Sequence, residues 1–192
     1  MRGENGRVTK AFMVIAFAVL ASCSAPNTPE PPPVAEKPKP PAAAPELALS
    51  QQCTNERHGY TVSYPAGWHT NGGEVIPACS AFDPEPVQVP PQSEMPFDIA
   101  IVIDVQQVEF DRAPDPQFER VLSSERLTIG GRAALRAEVE ATGEGLADRG
   151  MRTLRYAIDL GNGRTLVAST NGTGEEYEAE KEILRRMVET IR

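Results

Sequence analysis

The sequence has little of the chemistry on which catalytic and metal sites are built. Among its 192 residues are two histidines, three cysteines and one tryptophan. It contains no Gly-x-Ser-x-Gly, no Walker loop, no His-Glu-x-x-His and no calcium loop. No serine stands in a recognisable nucleophile turn, so no catalytic residue is predicted. Positive charge is also short. The formal net charge is -8, and since residues 1–22 carry +2 the remainder carries -10. That balance argues against nucleic acid as a partner and against electrostatic adhesion to anionic lipid. There is no internal repeat. The one long apolar run, residues 11–21, is about half of the roughly 20 residues that span a bilayer.

That run follows Arg2, Arg7 and Lys10 and ends in small residues, which is the build of a secretory signal peptide over 1–22. Its last four residues, Leu20-Ala21-Ser22-Cys23, resemble the lipobox of bacterial lipoproteins. The resemblance implies cleavage between Ser22 and Cys23 and a diacylglycerol on the Cys23 thiol, often with a third acyl chain on the freed amine. Two or more chains anchor a protein stably, at about 0.8 kcal/mol per buried methylene. The expected location is therefore the extracytoplasmic face of a cell membrane. Residues 24–47 are mostly Pro, Ala and Glu, with prolines from Pro26 to Pro45. Such a composition favours disordered, extended polyproline II and could hold a domain up to roughly 75 Å from the lipid. The expected organisation is a signal peptide (1–22), a lipidated cysteine and linker (23–49) and one globular domain (50–192).

Within that domain Cys53 and Cys79 are the remaining cysteines, and in an oxidising compartment a disulfide is the default. His58 and His69 share their window, and two thiolates with two imidazoles also make a legitimate zinc set, although the spacing matches no common finger. The disulfide is the reading adopted; neither metal nor cofactor is assigned.

Periodicity gives the elements. Tyr60–Tyr64 alternates as a half-buried strand, with Trp68 beyond the Pro65–Gly67 turn to close the core. Residues 80–96, with five prolines, read as a long loop, and such loops are often functional. Ser80, Phe82, Pro84, Val87 and Pro90 are its candidate contact residues. Phe97–Phe110 reads as a strand with Ile99, Ile101, Ile103 and Val105 on one face and a bulge near Gln106-Gln107 returning Val108 and Phe110 to it. Asp115-Pro116 reads as the start of a short helix carrying Phe118, Val121 and Leu122. Two hairpins follow, turning at Gly130-Gly131 and Asn162-Gly163. Their second face holds Arg132, Arg136, Glu138, Glu140, Arg152, Arg155 and Asp159, either a wet face or a polar docking surface. Thr173 and Glu176 fit a capping box for a terminal amphipathic helix with Tyr177, Leu184, Val188 and Ile191 inward.

The order is α+β, an antiparallel sheet flanked by helices. "GYTVSYPAGW", "LTIGGRAALRAEVE" and the terminal helix resemble PsbP-like domains, a family that includes small actinobacterial lipoproteins. The resemblance covers about residues 56–192. It implies an α/β/α sandwich and an accessory or binding role without catalysis or cofactor. The expected function is a membrane-anchored, non-catalytic binding module for a protein or envelope partner. The alternatives are an envelope-associated hydrolase, metal-dependent or serine type, and a purely structural envelope component.

Overall fold

The computed structural model describes residues 48–91 and 98–192. The signal peptide, Ser22, Cys23, the linker as far as residue 47 and the start of the expected 97–110 strand lie outside them.

Strands β1 (Gln51–Asn55) and β2 (Tyr60–Tyr64) form a two-stranded antiparallel hairpin. The other strands are β3 (His69–Thr70), β4 (Ala81–Asp83), β5 (Ile101–Gln106), β6 (Glu119–Ile129), β7 (Arg132–Ala141), β8 (Arg152–Gly161) and β9 (Arg164–Gly172). They make one seven-stranded sheet in the order β3-β4-β5-β9-β8-β7-β6, with every neighbour antiparallel. Helix α1 (Gly174–Glu189) is the only helix among the described residues, so the architecture is α+β with one helical layer rather than two.

Side chains opposite one another across a ladder share a face. One face of the sheet therefore carries Ile101, Ile103, Ala168, Leu166, Tyr156, Ile158, Leu154 and Ala134, all buried. Helix α1 lays Tyr177, Leu184, Met187 and Val188 on it, while Tyr60, Val62 and Tyr64 of the β1–β2 hairpin join the same core. Each fully buried aliphatic side chain here contributes about 1.5–3 kcal/mol. Tyr64 meets Phe82 of β4 with ring centroids 5.3 Å apart, and Trp68 packs at the margin of this cluster.

The helix ends where Thr190 donates its hydroxyl to the Met187 carbonyl (2.7 Å) and accepts the Ser63 amide (2.8 Å). The last residue then bonds β2 in both directions, Thr61 amide to Arg192 carbonyl at 2.9 Å and the reverse at 3.2 Å. Gly130 is needed where this tail passes the β6–β7 turn. Its φ is +56°, and a Cβ there would sit 2.9 Å from the Ile191 carbonyl oxygen.

Three local expectations are corrected. Asp115 does cap a turn, its carboxylate accepting the Gln117 amide at 2.9 Å, but the chain then enters β6 instead of a helix. The amide of Thr142, the residue after β7, donates to the Phe118 carbonyl at 2.9 Å and starts the ladder, and a strand partner outweighs one capped turn. Strand β5 stops at Gln106 without a bulge, and beyond it the bent chain places Val108 and Phe110 over the opposite face. Thr173 precedes the helix with extended dihedrals, but its side chain makes no capping bond.

Candidate functional site

The charged side chains of the hairpins divide between the two faces. Arg136, Glu138, Glu140 and Arg152 lie on the helix side, while Arg155 and Asp159 lie opposite with Leu135, Ala137 and Val139. That opposite face is not simply wet. Residues 107–118 leave β5, fold over it and return to β6, roofing part of the sheet. Thr165 anchors this roof by donating its hydroxyl to the Val108 carbonyl at 2.6 Å.

Between roof and sheet is a half-open cleft of about 300 Å³. Ala157 and Val167 form its floor, and Val108, Phe110 and Pro114 its apolar wall. The polar wall is the Arg155–Glu119 pair, a two-pronged contact at 3.2 and 2.5 Å with both side chains 28% exposed. Arg112 also lines the opening, and its guanidinium makes no ion pair with the described residues. Phe110 is held from outside by Arg126, whose guanidinium stands 5.8 Å from the ring centroid and also bonds Asp111 at 2.9 Å. That bond keeps the Asp111 carboxyl below its ordinary range.

A small apolar cleft with a few fixed polar groups is the usual form of a recognition pocket. The groups lining it are guanidinium, carboxylate, hydroxyl and amide, suited to ion pairing and hydrogen bonding. The sequence's own cue to it was the apolar pair Val108 and Phe110 on the wrong parity for the core.

The expected contact loop of residues 80–96 begins only after Asp83, and its residues 92–96 lie outside the described residues. Ser80 (3% exposed) and Phe82 (0%) are buried, because β4 takes Ala81–Asp83 into the sheet. They are core residues rather than contact residues. Pro84 and Pro90 are exposed and Val87 half-buried. Val87 faces residues 71–76 across a second, polar depression of about 310 Å³. Asp83 is a loop anchor, accepting the amides of Glu85 (2.8 Å) and Ala100 (3.0 Å).

Cys53 and Cys79 are joined in a disulfide that ties β1 to the segment before β4, with Cα atoms 5.8 Å apart. Polar side chains fix the same corner. Asn55 donates to the Ala78 carbonyl at 2.7 Å, and Tyr60 to the Cys79 carbonyl at 2.8 Å. Burial pushes the Tyr60 hydroxyl up to about 12, against the hydrogen bonds of Asn55 and Ser80. Asn71 accepts the amides of Ser80 (2.9 Å) and Ala81 (3.0 Å). With both thiols committed, the four-ligand zinc arrangement is not formed. His58 lies in the β1–β2 turn, its imidazole held below the ordinary range by burial and by Arg57 and Arg164, and His69 lies on β3. Among the described residues no cluster of three or more His, Cys, Asp or Glu is placed to hold a metal ion.

No family model and no curated protein matches the chain. Among solved structures, it is similar to the solution structure of cyanobacterial PsbP (CyanoP) from Synechocystis sp. PCC 6803. The two are 10% identical with a TM-score of 0.44, over 80% of this chain and 99% of that one. A likeness of that degree defines neither a family nor a site, and the functional reading rests on the residues themselves.

Proposed function

We propose that this chain is an extracytoplasmic lipoprotein, held to the cell membrane through Cys23, whose domain binds a protein or envelope partner without catalysis. The observation that carries the binding half is the cleft under residues 107–118. It pairs an apolar floor and wall with the Arg155–Glu119 ion pair and with Arg112 at its mouth. Such a lining takes an apolar side chain or short chain segment bearing a nearby carboxylate. The anchoring half rests on Leu20-Ala21-Ser22-Cys23 and the proline-rich spacer, which would present the cleft away from the lipid.

Two substitutions test the halves separately. Ala157→Phe fills the cleft from its floor and should abolish partner capture while the sheet stays folded. Cys23→Ala should abolish fatty-acid labelling and membrane retention while capture by the released domain persists. Capture unchanged by Ala157→Phe would remove the cleft from the account. Labelling that survives Cys23→Ala would remove the anchor. A hydrolytic activity lost with His58→Ala or His69→Ala would replace binding by catalysis.

A further inference from the structure

Strand β6 is the longer of the two edges of the seven-stranded sheet, no strand among the described residues pairs with its outer side, and most of its 11 residues are exposed. A long bare edge offers unpaired backbone groups to another strand, and charged residues ordinarily block it. Here the charges stand in a self-complementary order. The strand reads Glu119-Arg120-Val121-Leu122-Ser123-Ser124-Glu125-Arg126, with a bulge at Leu122, between Val121 and Ser123. Without the bulge the two Glu-Arg pairs could not meet under a two-fold axis. Opposing residues would then lie on opposite faces of their own strands. Counting Val121 and Leu122 as one step restores the match. A two-fold axis at Ser123 sets Arg120 opposite Glu125 and Glu119 opposite Arg126, each pair on a single face. It also brings Phe118, 39% exposed, opposite Leu127.

We infer that β6 is an interface at which a second copy of this chain pairs antiparallel, with the two-fold axis at Ser123. The four charges already have partners within the chain: Arg120 with Glu140, Glu125 with Arg136, Arg126 with Asp111 and Glu119 with Arg155. Pairing through this register links them into rows of alternating sign. On the helix side the row runs Arg136, Glu125, then Arg120 and Glu140 of the second copy. On the cleft side it runs Asp111, Arg126, then Glu119 and Arg155 of the second copy. No like charges meet. Moving the axis one step either way sets Arg120 against Ser123 or against Leu127 and leaves no charge pair. The charges thus select one register instead of blocking them all, and the contact is isologous, as a closed dimer needs.

The test is sedimentation of the mature chain, residues 23–192, carrying Cys23→Ala, so that neither lipid nor the apolar run at 11–21 drives association. At about 100 µM it should run as a dimer, since even a micromolar interface is saturated there. Arg120→Glu should weaken the dimer roughly tenfold or more, because the reversed contact occurs twice. Adding Glu125→Arg restores the pairs between copies while spoiling the Arg120–Glu140 and Arg136–Glu125 contacts within each, and should bring the dimer back. Ser123→Cys should form an intermolecular disulfide on mild oxidation, because directly opposed residues lie about 4.5–5.5 Å apart. Thr128→Cys should not. A monomeric parent, an exchange no better than the single reversal, or equal crosslinking at Ser123→Cys and Thr128→Cys would overturn the inference.

Discussion

Lys181 of the helix lies 2.8 Å from Oε1 of Glu138 on β7, and the Tyr177 hydroxyl donates to that same oxygen at 3.1 Å. The lysine side chain is 8% exposed and the glutamate 16%. This pair bolts the helix to the sheet at a point where the sequence puts a charge on the core side of β7. Removing one partner strands the other in a desolvated site. Lys181→Met should therefore cost about 3 kcal/mol, and Lys181→Met with Glu138→Leu clearly less. Denaturant midpoints of the three proteins check this.

Acid acts on this pair through the Glu138 carboxyl. Burial alone would raise the Glu138 carboxyl, but the hydrogen bond and charge of Lys181 outweigh it and hold it below its ordinary range. Its stabilising contribution is complete above the unfolded-state value and is lost as pH falls through the lowered one. Glu180 has the opposite sign. Burial raises it despite the Thr170 hydroxyl at 2.7 Å, with Glu176 and Asp83 adding to the rise. Its ionisation penalises the fold at neutral pH, and the penalty disappears on acidification. Glu180→Gln should stabilise the protein at pH 7 and steepen its loss of stability in acid, measured by urea unfolding across pH 3–7. A variant less stable than the parent at pH 7 would contradict this.

Glu138 also shows where sequence reading stops. The alternation of β7, β8 and β9, and the turns at Gly130-Gly131 and Asn162-Gly163, were legible because period and turn chemistry agree there. The face assignment was not. In β7 the apolar parity, Leu135, Ala137 and Val139, faces the cleft side, and the polar parity faces the helix. Lys181 makes that tolerable, and it lies more than 40 residues away. Strand β1, Gln-Gln-Cys-Thr-Asn, has no apolar pattern at all, and it is held by β2 and the Cys53–Cys79 bridge. The cleft was half legible, through Val108 and Phe110. Its polar wall was not, because Glu119 and Arg155 meet only through the sheet order.

The Cys53–Cys79 bridge closes a loop with a sequence separation of 26 residues. By chain entropy that stabilises the fold by about 3.5 kcal/mol. Cys53→Ser with Cys79→Ser should lower stability by this order, and the intact mass of the parent should rise by two hydrogens on reduction.

Gly130 is a narrower test of the tail packing. Gly130→Ala adds a Cβ at a positive φ and against the Ile191 carbonyl, and should cost more than about 1 kcal/mol. Gly131→Ala meets no nearby atom and adds only the backbone strain of its φ of +78°. Thermal unfolding should rank the first below the second; equal losses would mean that the tail yields freely.

The binding reading turns on which surface holds the partner. A photo-crosslinking residue placed at Arg112, at the mouth of the cleft, samples that surface directly in living cells. The same residue at Glu85, in the proline-rich loop, samples the rival surface. The account predicts a discrete crosslinked partner from position 112 that is lost when Ala157→Phe fills the cleft, and none from position 85. Crosslinks confined to position 85, or a product at position 112 indifferent to Ala157→Phe, would contradict it.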